Sequence, residues 1–155
     1  MVEVKVTHEG SGAVFEAPDG WQVEDTGRPE VLVVLEPEPA DGTVRANLVL
    51  TAVDTGGRSF RDWQNGTEAL LPQELSDYLV LDLHADEVDG RPAGSRLAHH
   101  VDAEGRALVL EQRFTEADGL GLTLTATVDV LRYPLMAEEL SACCASLRLP
   151  RGASR

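Results

Sequence analysis

Three side chains suited to chemistry, Asp82, His84 and Asp86, alternate with Leu83 and Ala85 in one short segment of the chain. In an extended strand this spacing places all three on one face, where carboxylates and an imidazole can bind a metal ion or move protons. Neighbouring positions on one strand face lie about 6.6 Å apart, so the three would close around one ion only if the strand bent. We therefore expect a solvated polar face here and no metal site.

Further charged residues are predicted on the same face of the neighbouring strands. Arg96 is predicted to lie opposite Asp82 on one side and Glu111 on the other, with Arg113 on the same face. A carboxylate beside an arginine on an open sheet is usually a surface ion pair, although Asp82, Glu111 and Asp129 could also form a paired acid and base. The candidate partner-binding residues are Asp82, His84, Arg96, Glu111 and Arg113.

Other motifs of enzyme chemistry are weak or missing from the sequence. Residues 56–59 (Gly-Gly-Arg-Ser) precede a predicted helix whose N-terminus could hold an anion, but they lack the Gly-Lys-Ser/Thr of a nucleotide-binding loop. There is no Gly-x-Ser-x-Gly, Cys-x-x-Cys or His-Glu-x-x-His motif. Cys143 and Cys144 are adjacent, which disfavours a disulfide, and we expect small buried side chains there. We predict a protein that has no catalytic residues, no metal and no cofactor.

The length and charge of the chain limit the number of domains and the kinds of partner that it can have. The 155 residues suit one domain, predicted over 1–150, with a flexible C-terminal tail at 151–155. There are 13 Lys and Arg against 27 Asp and Glu, a formal net charge of −14, which argues against nucleic-acid and anionic-membrane partners. No apolar run approaches the roughly 20 residues of a membrane span, and no secretory signal is evident, so a cytoplasmic location is predicted.

The periodicity of apolar residues predicts two main helices and many strands. One helix begins at Ser59, which forms a capping-box pattern with Asp62, and another begins at Pro134. Four long alternating segments lie between the helices and predict a meander, at 78–87, 91–101, 106–116 and 120–132. The fold class is therefore predicted as α+β, an antiparallel sheet with a long four-stranded meander packed against two main helices.

The predicted lengths of the meander loops rest on one assumption, that the sheet has a single buried apolar face. Paired residues in a hairpin share a face, so the apolar sets of all four segments must align. This requires three-residue loops at 88–90 and 117–119 and a four-residue loop at 102–105. The predicted core set comprises Leu79, Leu81, Leu83, Leu97, Leu108, Leu110, Phe114, Leu122 and Leu124.

A family resemblance is carried by residues 15–21, Phe-Glu-Ala-Pro-Asp-Gly-Trp. This segment resembles the Phe-x-x-Pro-x-Gly-Trp opening of the PsbP-like superfamily, and the order of elements is also similar. That superfamily includes the photosystem II extrinsic protein P, Mog-type Ran-binding import factors and bacterial DcrB- and LpqN-type proteins. The resemblance implies an α+β sandwich and a binding, assembly or chaperone-like role without catalytic residues.

The residues and the resemblance together predict a non-enzymatic module, monomeric or homodimeric, that binds a protein partner with its polar sheet face. Two alternatives stay open: a small hydrolase that uses the clustered carboxylates, and a binder of a small apolar ligand between sheet and helix. A deep pocket holding Asp82, His84 and Glu111 would favour the hydrolase. A cavity near Trp63 would favour the ligand binder.

Overall fold

The computed structural model describes residues 3–39 and 43–150, and the predicted tail at 151–155 lies outside them. The elements are β1 (Glu3–Thr7), β2 (Val14–Pro18), β3 (Gln22–Glu24), β4 (Val31–Leu35), β5 (Asn47–Asp54), α1 (Phe60–Glu74), β6 (Ser76–Val88), β7 (Arg91–Val101), β8 (Ala107–Ala117), β9 (Leu120–Asp129) and α2 (Tyr133–Ala145). Within the described residues the strands form a two-stranded sheet, β1-β2, and a seven-stranded sheet in the order β3-β4-β5-β9-β8-β7-β6. The predicted α+β class with a meander over β6 to β9 is confirmed.

Helix α1 begins where its capping pattern predicts. The hydroxyl of Ser59 accepts a hydrogen bond of 3.1 Å from the backbone N–H of Asp62, which satisfies one of the donors left free at a helix start. Pro72 lies inside α1, and the helix ends at Glu74, two residues after it, since a proline ring disfavours continuation of a helix. No helix of the described residues is long and apolar enough to cross a membrane.

The two helices cover opposite faces of the large sheet. Helix α1 lies on the face that carries Phe114 and Gly121, which we call the α1 face. The Phe60 and Phe114 rings stack there with centroids 6.1 Å apart. Trp63 packs directly over Gly121, where a Cβ atom would meet the indole at 2.5 Å, so glycine is what allows this close approach.

Helix α2 and strand β2 cover the other face, which we call the α2 face. The predicted apolar side of α2 is buried there against the even-numbered residues of β9. The cluster on this face includes Phe15, Leu48, Leu50, Leu122, Leu124, Leu140, Cys143 and Leu147. Burial of each large apolar side chain contributes roughly 1.5–3 kcal/mol, so this layer supplies much of the stability of the fold.

An ion pair fixes the start of α2 over the sheet. Arg132, directly before the helix, pairs with the carboxylate of Glu36, which also accepts a hydrogen bond of 2.7 Å from the backbone N–H of Ala46. Burial alone would raise the pKa of Glu36, but Arg132 and the Ala46 bond outweigh burial and lower it. The position of α2 is thereby tied to the segment between β4 and β5.

All three meander loops are one residue shorter than predicted. Val88 pairs with Arg91, which leaves a two-residue Asp-Gly turn at 89–90, and the same turn type recurs at 118–119. Both residues of each turn have positive φ, between 48° and 82°, as a type I′ turn requires. Between β7 and β8 the backbone N–H of Asp102 donates to the carbonyl of Arg106 over 2.9 Å, so the loop has three residues, 103–105.

The predicted register was wrong because both faces of the sheet are covered, not one. Leu110 lies on the α1 face and pairs with Thr127, whereas Leu122 and Leu124 lie on the α2 face. The predicted core set is therefore divided between two layers. Three of its members on β6 are not core at all: Leu79, Leu81 and Leu83 are 58%, 53% and 47% exposed.

Candidate functional site

A cleft of about 240 Å³ lies on the α2 face, between α2 and strands β6, β7 and β8. We call it the acidic cleft. Strand β6 contributes the predicted same-face set to it, because Asp82, His84 and Asp86 pair with Leu97, Ser95 and Ala93 of β7. The cleft is lined by Asp82, His84, Asp86, Ser95, Leu97, Glu111, Arg113, Ser141, Cys144 and Ala145, and Arg96 borders it.

Asp86 is the best-satisfied carboxylate of the acidic cleft. It accepts hydrogen bonds from Arg113 at 2.7 Å, from the hydroxyl of Ser95 at 3.0 Å and from the backbone N–H of Glu87 at 2.8 Å. Burial alone would raise its pKa, but these bonds and the charge of Arg113 outweigh burial and lower it. Asp86 is therefore a fixed negative charge that is paired with Arg113.

Glu111 differs from Asp86 in that its pKa is raised and its charged form is disfavoured. Its carboxyl group lies beneath α2, where burial raises the pKa, while a hydrogen bond with Ser141 and the proximity of His84 offset this only in part. The thiol of Cys144 occupies the same wall and donates to the backbone carbonyl of Glu111 over 3.7 Å. Burial also raises the pKa of Cys144 well above its ordinary value, so this sulfur is a packing group and not a nucleophile.

Asp82 and His84 form the open rim of the cleft. Their side chains are 63% and 58% exposed, and a ring nitrogen of His84 lies 3.2 Å from a carboxylate oxygen of Asp82. Such an exposed pair adds little to stability. Among the described residues no group of three His, Cys, Asp or Glu side chains is arranged to hold a metal ion.

Arg96 is not where the sequence predicted it. It pairs with Leu83 on β6 and Gln112 on β8, and so its side chain lies on the α1 face, away from Asp82 and Glu111. It is only 2% exposed. The one-residue change in each loop reverses the face that β7 presents, which removes Arg96 from the proposed binding face.

The surroundings of Arg96 are a closed polar network beneath α1. The guanidinium forms an ion pair with Glu68 of α1, donates to the side-chain oxygen of Gln112 and stacks over Phe114, 4.6 Å from the ring centroid. Gln112 in turn donates to Thr125 over 3.0 Å. Arg96 is thus a buried structural cation that holds α1 to the sheet.

Four of the five predicted partner-binding residues, Asp82, His84, Glu111 and Arg113, come together in the acidic cleft. The sequence reasoning missed the residues that α2 contributes, Ser141 and Cys144. Cys144 was expected only as a small buried side chain and Ser141 was given no role, because periodicity alone does not show that the edge of a core stripe also borders a charged cleft.

No family model matches the sequence, and no curated protein matches it. Solved structures do match. PA94, a protein of unknown function from Pseudomonas aeruginosa, is 18% identical, with a TM-score of 0.64 over 91% of this chain and 92% of that one.

Two further solved structures are similar to the chain. LpqN, involved in cell envelope biogenesis of Mycobacterium tuberculosis, is 16% identical, with a TM-score of 0.69 over 96% of this chain and 91% of that chain. CyanoP, the cyanobacterial PsbP of Synechocystis sp. PCC 6803, is 15% identical, with a TM-score of 0.70 over 95% and 92%. At these identities the similarity concerns the fold alone. The chain has the PsbP-like fold that residues 15–21 indicated.

Proposed function

We propose that the chain is a non-enzymatic protein-binding module and that its acidic cleft receives a cationic side chain of the partner. The observation that carries this proposal is the charge balance of the cleft. Among the described lining residues, three carboxylates, Asp82, Asp86 and Glu111, face Arg113, which Asp86 already engages. The other arginine of the lining, Arg96, has its side chain on the α1 face, paired with Glu68. A guanidinium or ammonium group entering the cleft would meet uncompensated negative charge between walls that reduce screening by solvent.

Glu111 supports the same conclusion. A carboxyl group held where its charged form is disfavoured destabilises the empty fold at neutral pH. A bound cation would favour the charged form and lower the pKa of Glu111 again. None of the three similar structures is described as an enzyme, which supports a binding role, and a chaperone-like or assembly role would be one form of it.

The proposal is tested by quantitative affinity capture followed by cross-linking to map the contact. The variant Asp82→Asn/Glu111→Gln removes two charges from the cleft and keeps the side-chain shapes. A control variant with two amides at Glu24 and Glu104, both exposed and outside the acidic cleft, makes the same change in net charge. We expect the partner to be recovered by wild type and control, cross-linked to β6 or α2, and lost from the cleft variant. Equal recovery by all three proteins would refute the proposal.

A second candidate, a small hydrolase, is favoured by one observation: Asp82, His84 and Glu111 do share a cleft, and the pKa values of Glu111 and Asp86 shift in opposite directions. Such separation is typical of an acid and a base in one site. Against it, His84 bonds to Asp82 whereas Ser95 bonds to Asp86, so the serine is not activated by the imidazole. Turnover of ester, phosphoester or glycoside substrates that disappears in Glu111→Gln would establish it.

The apolar-ligand alternative requires a cavity near Trp63. Trp63 is buried, packs over Gly121 and meets Phe60 edge-on, with ring centroids 6.2 Å apart, so protein atoms fill these two sides of the indole. A surface cleft between the start of α1 and the sheet is lined by Phe60, Gln64 and Pro92 and not by Trp63.

A further inference from the structure

Strand β6 is an unusually open edge of the sheet. Within residues 3–39 and 43–150 it pairs only with β7, because the strand order ends at β6, and it is 13 residues long. The opposite edge, β3, has only three residues. Natural proteins keep edge strands short or interrupt them, since an unpaired row of backbone N–H and C=O groups invites another strand. Strand β6 has no proline, and its two irregularities, between Ser76 and Leu79 and between Val80 and Asp82, leave a regular run of seven residues from Asp82 to Val88.

The α1-face side of this edge is apolar and exposed. Leu83 pairs with Arg96 on that face and is 47% exposed, and Val80, which pairs with Ala98, is 37% exposed. Leu81, at the irregularity, is 53% exposed. Large apolar side chains grouped along an open edge are typical of a surface that another chain covers.

The α2-face side of the same edge is acidic from Asp82 to Asp86, beyond the exposed Leu79. Asp82 and Asp86 alternate with the apolar positions and line the acidic cleft, Asp82 at its open rim and Asp86 paired with Arg113. A strand added beside β6 would therefore meet carboxylates with one set of alternate side chains and apolar groups with the other. A second copy of β6 would instead bring its own Asp82 and Asp86 to this edge, between two chains that each carry a net charge of −14. Charge complementarity selects a basic occupant.

We infer that β6 binds an extended segment of the partner as an added antiparallel or parallel strand, in which Lys or Arg alternates with apolar residues. The cationic side chains face Asp82, Asp86 and the acidic cleft, the apolar ones cover Val80 and Leu83, and backbone hydrogen bonds join the segment to β6. This inference rests on the proposed function and deepens it, because it names the chemistry and the conformation of the partner segment.

The test uses synthetic peptides with the sequence KVRVKVR, acetylated and amidated at their ends, and the full chain labelled with 15N. Alternate N–H groups of a strand point to opposite sides, so N-methylation of the valines and N-methylation of the basic residues block opposite edges of the peptide. We expect the unmodified peptide to shift the amide signals of β6. One N-methylated isomer should bind about as well, and the other should bind at least about tenfold more weakly, since it loses several hydrogen bonds.

A variant of the chain distinguishes the contribution of backbone pairing along β6 from the contribution of the Asp82 charge. Asp82→Asn should lower the affinity for the unmodified peptide by roughly two- to fivefold, as expected for the loss of one cross-strand charge pair. Glu24→Gln should leave this affinity unchanged. Equal binding of both N-methylated isomers, with charge dependence retained, would overturn strand addition and leave the proposed function standing. No shift of β6 signals with any peptide would overturn the inference, while the capture experiment still decides the proposed function. A chain that dimerises through β6 in analytical ultracentrifugation would also overturn it.

Discussion

The two faces of the meander differ in how their charged side chains are placed: the α1 face buries and pairs them, and the α2 face leaves carboxylates accessible. On the α1 face, Arg96 is buried, and the two terminal nitrogens of its guanidinium bond to Glu68, Gln112 and Gln64 beside the Phe114 ring, while its Nε has no hydrogen-bond partner among the described residues. On the α2 face, carboxylates outnumber arginines and a cleft keeps them accessible. The Arg96 network holds α1 against the sheet, whereas the acidic cleft contains negative charge that no neighbouring cation compensates. Burial alone therefore does not identify the functional residues; uncompensated charge that solvent can still reach does.

The largest effect is expected on the α1 face. Glu68→Ala would leave the buried Arg96 guanidinium without its carboxylate partner. Because the Glu68 side chain is 34% exposed, we expect a cost of about 2–4 kcal/mol, below the roughly 3–5 kcal/mol of a fully buried ion pair. Urea denaturation of wild type and variant measures this directly. Glu74→Ala, at the exposed end of the same helix, should change the free energy of unfolding by less than about 0.5 kcal/mol. Similar values for both variants would show that the Arg96 network is not structural.

The close approach of α1 to the sheet gives the next largest effect. Gly121→Ala would place a Cβ atom 2.5 Å from the Trp63 indole, and overpacking of this kind costs about 1–3 kcal/mol. Gly66→Ala, inside α1, would place a Cβ atom 3.5 Å from the Arg58 side chain, which is an ordinary contact. This variant should have the opposite effect and stabilise the helix by about 1 kcal/mol. Thermal melts of both variants compare them; stabilisation by both would mean that α1 lies further from the sheet.

On the α2 face the expected effects are smaller. Asp86→Asn removes a partner of Arg113 and should lower stability at pH 7 by about 1 kcal/mol. Because the pKa of Asp86 is lowered in the folded chain, its contribution is present above the ordinary value of 3.8 and disappears as the pH falls through the folded pKa. Denaturation curves of the two proteins should therefore converge in acid. A difference that persists there would assign the effect to packing.

Glu111→Gln should have the smallest effect and the opposite sign. The pKa of Glu111 is raised in the folded chain, so wild type loses stability as the pH rises from the ordinary value of 4.5 through the folded pKa. The amide cannot ionise, and the variant should be more stable than wild type at pH 7 but not at pH 4. Glu24→Gln, on the exposed strand β3, should show no such crossover. A variant less stable at pH 7 would mean that the Glu111 charge is satisfied in the fold.

Much of the fold was predictable because its signals are local. Ser59 with Asp62 marks the start of α1, and the alternation of apolar residues marks each strand of the meander. The register was not predictable from the assumption of one buried face, because residues such as Leu110 and Leu122 are both buried but on opposite faces. The Asp-Gly pairs at 89–90 and 118–119 were the better guide, since that dipeptide favours a two-residue turn by its own backbone preference.

The candidate site was predictable only where it follows one strand. Asp82, His84 and Asp86 share a face in any register, because alternation within a strand does not depend on its partners. Arg96 required the correct pairing of three strands, and its assignment failed with the loops. Ser141 and its hydrogen bond to Glu111 join residues 30 positions apart across the packing of α2, which no pattern within a single strand or helix encodes.

The most direct test of the central claim is whether the acidic cleft binds a cationic head group. An NMR titration of the 15N-labelled chain with acetyl-arginine amide, and with the neutral isostere acetyl-citrulline amide, isolates the charge from the shape. The account predicts that arginine shifts the amide signals of Asp82, His84, Glu111 and Arg113, that citrulline does not, and that Asp82→Asn/Glu111→Gln abolishes the shifts. Equal shifts with both compounds, or shifts confined to residues outside the cleft, would contradict it.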